Sequence, residues 1–128
     1  MKVKVEAYNV TSSFKHYIIS EILKSYSILG PPKTGEVKIA IFKDINSLRE
    51  YARREAEEAA SILGIPLMAS AEFESSAIHY AWLNVPTIAV AEHQFHKRGK
   101  AAIGDLIHEV GHSILHGSIE YYIFKVPS

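Results

Sequence analysis

Cysteine is absent from all 128 residues, so disulfides and thiolate metal ligands are excluded and thiol chemistry says nothing about the compartment. An excess of either charge is also absent. Lys plus Arg and Asp plus Glu number 14 each, and the formal net charge is zero. That balance gives no general attraction to nucleic acid or to an acidic membrane face, and no nucleic-acid partner is expected. The short basic run HKRGK, residues 96–100, reads as a solvated loop. No apolar stretch approaches the roughly 18 residues that a bilayer-spanning helix needs. The opening MKVKVEAYNV alternates charge with apolar residues and lacks the apolar core of a signal peptide. No membrane span and a cytoplasmic location are therefore the expectation. What is present is apolar bulk, 48% of residues, which suits one domain with one core in a chain too short for two.

Periodicity then orders the chain. KVKVEA (residues 2–7) alternates and reads as a half-exposed strand. TSS (residues 11–13) offers N-cap hydroxyls to a helix whose apolar stripe is Phe14, Tyr17, Ile18, Ile22, Tyr26 and Leu29, ended by Gly30-Pro31-Pro32. EVKIAIF (residues 36–42) is rich in β-branched residues and reads as a strand. Ser47 and Glu50 have capping-box spacing for a second helix running to Leu63, with Leu48, Tyr51 or Ala52, Ala59, Ile62 and Leu63 facing the core. IPLMASAEFE (residues 65–74) reads as a loop. SAIHYAWL (residues 76–83) and TIAVAE (residues 87–92) read as strands, HQFHKRG as a polar loop, and residues 100–116 as a third helix. The aromatic, alternating tail SIEYYIFKVPS, residues 118–128, is expected to be extended. The expected fold class is α+β, a single domain over residues 1–128 with a mixed, twisted sheet packed against two or three helices.

The third helix carries the chemistry. Within DLIHEVGHSILHG, His108 and His112 lie four residues apart with Glu109 beside the first. Side chains four apart share one face of a helix, so two imidazoles can converge on one Zn²⁺ at roughly 2.0–2.1 Å each. Glu109 is placed to accept a proton from a zinc-bound water whose pKa the metal lowers toward about 7. Gly111 costs helix stability, and its presence suggests that something packs closely on that side. His116 sits a further turn along, about 12 Å from His108 on a continuing helix, so it is a third ligand only if the last turn loosens at Gly117. It reads equally as a wall of the cleft, and otherwise as a surface residue; Glu120 is the alternative third ligand. Asp105 reads either as a carboxylate orienting an imidazole or as an exposed helix residue. If residues 76–83 form the sheet edge beside the cleft, that edge can take an extended peptide as an added strand. His79, Tyr80, Tyr121 or Tyr122 could then donate to a tetrahedral oxyanion, against the plainer reading of ordinary strand residues. His16, His93 and His96 read as solvated.

The stretch TIAVAEHQFHKRGKAAIGDLIHEVGH resembles the end of a gluzincin-type zincin catalytic domain, and the layout of nearly the whole chain resembles the minigluzincins of the abylysin and jannalysin type. HEVGHSILH is also similar to the corresponding helix of the ImmA/IrrE metallopeptidases. The resemblance implies a small zincin-like catalytic domain that hydrolyses peptide bonds, with Zn²⁺ as cofactor, His108 and His112 as ligands and Glu109 as general base. It implies a third ligand downstream of the helix, a histidine in minigluzincins, and His116 is the only histidine beyond His112. It further implies zymogen-like latency through the C-terminal segment, residues 118–128, within a monomer or exchanged between the chains of a homodimer, with a peptide or unfolded protein as substrate. A non-catalytic zinc-binding or regulatory module is the alternative.

Overall fold

In the computed structural model, residues 1–64, 77–80 and 85–115 are described. The elements run β1 (Lys2–Tyr8), α1 (Ser12–Leu29), β2 (Glu36–Phe42), α2 (Ile45–Leu63), β3 (Ala77–Tyr80), β4 (Thr87–Ala91), α3 (Glu92–Arg98) and α4 (Lys100–Ile114). The strands form one mixed sheet in the order β1-β2-β4-β3. β1, β2 and β4 are parallel, with Lys2 opposite Glu36 and Ile39 opposite Ile88, while β3 pairs antiparallel to β4 with His79 opposite Ile88. The chain is thus an α+β domain, and among the described residues no helix is long and apolar enough to cross a membrane.

The sequence explains the layering. β2 and β4 are apolar almost throughout because helices cover both of their faces, as central parallel strands require. β1 alternates because it is an edge strand with one face open. On one face, Phe14, Ile18, Ile22 and Tyr26 of α1 meet Val37, Ile39 and Ile41 of β2, Ile88 and Val90 of β4, Phe95 of α3, and Ala102, Leu106 and Val110 of α4. On the other, α2 packs Leu48, Tyr51 and Ala52 against Ala40, Phe42, Ala89 and Ala91.

Local chemistry sets the ends. Thr11 caps α1, its Oγ1 accepting from the Phe14 amide at 3.2 Å. Gly30, at φ 102°, closes that helix with its N–H on the Tyr26 carbonyl. The apolar stripe of α1 is narrower than the sequence suggests, because Tyr17 and Leu29 are exposed. α2 starts earlier than expected. Asp44 supplies the cap, its Oδ1 accepting from the Ser47 amide at 2.8 Å, and Glu50 pairs with Arg53 instead of completing a capping box. The side chains of Ala59, Ile62 and Leu63 lie outside the described residues, as do residues 65–76 and the tail. The largest departure is α3. Residues read as a polar loop form a helix, because Phe95 drops into the core against Phe14 at a ring separation of 5.3 Å.

Candidate metal centre

α4 presents three kinds of surface. Ala102, Leu106, Glu109, Val110 and Ser113 are buried, packing the helix against α1, β3 and β4. At about 100° per residue, His108 and His112 fall on the flank adjoining Glu109, and Ile103 and Ile107 fall on the opposite flank. This pattern holds the two imidazoles at the border of the core, with His108 exposed and His112 half-buried.

The rings face each other nitrogen to nitrogen. Nε2 of His108 and Nε2 of His112 are 3.0 Å apart, with ring centroids 4.5 Å apart and planes at 88°. Two nitrogens bound at about 2.0–2.1 Å in a tetrahedron lie roughly 3.4 Å apart, so the pair is within a few tenths of an ångström of bidentate geometry. Two chemistries fit: joint ligation of a divalent ion, or an N–H···N hydrogen bond between neutral imidazoles. Burial pushes the His112 pKa below the ordinary histidine value, and the neighbouring His108 charge acts in the same direction. The neutral form that ligates a metal is thereby favoured. Glu109, between them in sequence, is only 6% exposed.

The end of α4 is clamped by groups that the sequence reading passed over. Ser113 Oγ donates to the Val110 carbonyl at 2.6 Å and also meets Tyr26 Oη. A serine hydroxyl has one proton, so the phenol donates in the second contact. Burial, which raises the Tyr26 pKa, keeps it protonated. The Lys33 amide donates to the Ile114 carbonyl at 3.0 Å, satisfying one of the orphan acceptors of the last helical turn. His112 is held between these ties. The only sequence signal was Tyr26 on the stripe of α1.

Other expectations resolve differently. Asp105 forms an ion pair with Arg98 of α3 at the helix elbow. Among the described residues Gly111 marks no close approach, since a Cβ there would meet none of them within 4 Å. His16, His93 and His96 are exposed. His96 nonetheless lies 3.3 Å from Glu92, a buried carboxylate that also accepts from Thr11. His116, Glu120, Tyr121, Tyr122 and the side chains of His79 and Tyr80 lie outside the described residues. Among the described residues, no third His, Asp or Glu joins the imidazole pair.

Comparison with protein families, with curated proteins and with solved structures gave no match.

Proposed function

We propose that this chain is a zinc-dependent metallopeptidase, with His108 and His112 as two ligands of the ion and Glu109 as the general base. The observation that carries the reading is the 3.0 Å convergence of two Nε2 atoms on one turn of α4, beside a buried carboxylate. When bound, the ion brings the pKa of water from its bulk value toward about 7. Glu109 takes the proton released and returns it to the leaving amine, the ordinary work of a positioned carboxylate. Low exposure of Glu109 keeps bulk water from competing for that proton.

β3 is a sheet edge among the described residues, and α4 packs on it. In this reading β3 receives the peptide or unfolded protein substrate as an added strand, and His79, Tyr80 or Tyr121 donates to the oxyanion. His116 completes the ligand set, with Glu120 as its alternative, and residues 118–128 restrain the site in a latent form. A second reading, a zinc-binding module without catalysis, is favoured by one fact: only two donors converge among the described residues.

Zinc content and casein cleavage separate the two. One equivalent of zinc is expected in the full chain and in Glu109→Gln, and none in His108→Ala or His112→Ala. Cleavage by the full chain, or by a chain lacking residues 118–128, should drop at least about 100-fold in Glu109→Gln. Zinc retention with no cleavage by either form establishes the binding module, and failure of the full chain to bind zinc ends both readings.

A further inference from the structure

A second feature lies on the flank of α4 opposite the imidazole pair. Thr11, Ser13, Phe14, Tyr17, Glu92, Phe95, His96, Gly99 and Ile103 surround an open cleft of about 320 Å³. It sits where β1 and β4 deliver the chain into α1 and α3, at the carboxyl ends of parallel strands, the usual place for a ligand crevice in open sheets. Its lining is mainly aromatic and aliphatic, with Thr11, Ser13 and His96 beside one carboxylate, Glu92.

That carboxylate is unusual. Glu92 is 6% exposed, and the ion pairs of the described residues place no Lys or Arg on it. Its Oε2 accepts from Thr11 Oγ1 at 3.0 Å and lies 3.3 Å from His96 Nε2, while among the described residues Oε1 accepts only the Thr11 amide at 3.3 Å. A carboxylate oxygen has two lone-pair directions, so Oε1 has acceptor capacity left. Burial raises the Glu92 pKa, yet hydrogen bonds from His96 and Thr11 outweigh it and leave the net value below the usual carboxylate range. The group is therefore an anion. The N-terminus of α1 offsets about half a unit of its charge. His96, 70% exposed, meets it only from the solvent side. A buried carboxylate with acceptor capacity left is stabilised by a further donor, and a cationic N–H is the strongest such donor.

We propose that this cleft binds a primary ammonium carried on an apolar arm, the ammonium on Glu92 and the arm among Phe14, Tyr17 and Ile103. Aromatic and aliphatic side chains suit such an arm because they bury its methylenes away from water. The same chemistry comes from a free alkylamine or from a lysine side chain of a partner protein. An anion is disfavoured because it would meet Glu92 directly. The site does not depend on the metal centre, and its test does not use hydrolysis.

The test is titration of the full chain with n-butylammonium, n-butanol and butyrate, followed by NMR shifts of Phe14, Tyr17, Phe95 and Ile103. Nα-acetyl-lysine methylamide forms a parallel arm. The ammonium is expected to bind at least about tenfold more tightly than the alcohol, with butyrate not binding. Glu92→Gln should erase that preference. Because Glu92 also anchors Thr11, Tyr17→Ala at an exposed position provides a second variant, expected to weaken ammonium binding severalfold with the fold intact. Tighter binding of the lysine derivative assigns the site to a protein partner, and tighter binding of butylammonium to a small molecule. Equal binding of ammonium and alcohol, binding of butyrate, or shifts confined to other residues overturns the proposal.

Discussion

Against one face of the sheet, α2 lays Leu48, Tyr51 and Ala52 on the alanine-rich surface of β2 and β4, whereas the opposite face receives α1, α3 and α4 and with them Glu92, Glu109 and Ser113. The small residues Ala40, Ala89 and Ala91 let α2 pack closely, and among the described residues that layer carries no buried charge. The other layer is built on Ile, Leu and Phe and buries two carboxylates, Glu109 and Glu92, the latter beside Thr11 and His96. Charge burial is tolerated where hydrogen-bond donors from several elements reach the group, and α1, α3 and α4 meet on only one side. Among the described residues, one face is therefore apolar support, and the other holds the imidazole pair and the buried carboxylates.

That division can be broken by substitution. Leu48→Ala and Leu106→Ala each empty a fully buried position and should cost about 2–5 kcal/mol in urea denaturation. Only Leu106→Ala should also weaken zinc binding, because it alone unseats the helix that carries the imidazoles. Equal weakening by both variants would show that the layers are not independent. Tyr26→Phe removes the proton donated to Ser113 and should cost about 0.5–1.5 kcal/mol, with measurable loss of zinc affinity since His112 adjoins that tie. Gly111→Ala should gain about 0.5–1 kcal/mol, seen as a Tm rise of a few degrees, because the new methyl enters open space within a helix. A loss of stability there would place residues 116–128 against that surface. The smallest effect concerns protons. His112 should titrate below the ordinary value of about 6.5 in metal-free protein, as read by NMR. A depressed pKa means that the folded state prefers the neutral ring. This contribution is full above the unfolded pKa and is lost as pH falls through the folded one.

What could be read from the chain followed from how local the physics was. Thr11, Gly30 and the His108–His112 pair were legible because caps and helix faces depend on a few neighbouring residues. The sequence raised the edge position of residues 76–83 only as a condition, and among the described residues β3 is an outer strand. α3 was not legible because its sequence has one apolar anchor, Phe95, whose partner Phe14 lies far away in the chain. Asp44 was passed over for Ser47 because both satisfy cap chemistry and only the backbone path decides between them. The pairing of Asp105 with Arg98 depends on the elbow at Gly99, at φ 53°, which brings α3 against α4. The clamp from Tyr26 to Ser113 and the cleft over Glu92 join residues from opposite ends of the chain.

The strand order also carries a kinetic consequence. β3 and β4 join partners close in sequence, Tyr80 with Thr87, whereas β1 finds β2 and β2 finds β4 only after a whole helix has intervened. Contacts between distant residues demand more loop-closure entropy and form late. Refolding should therefore begin with the β3–β4 pair, continue with β1 on β2, whose partners Lys2 and Glu36 are nearer in sequence than Lys38 and Thr87, and close the central β2–β4 seam last.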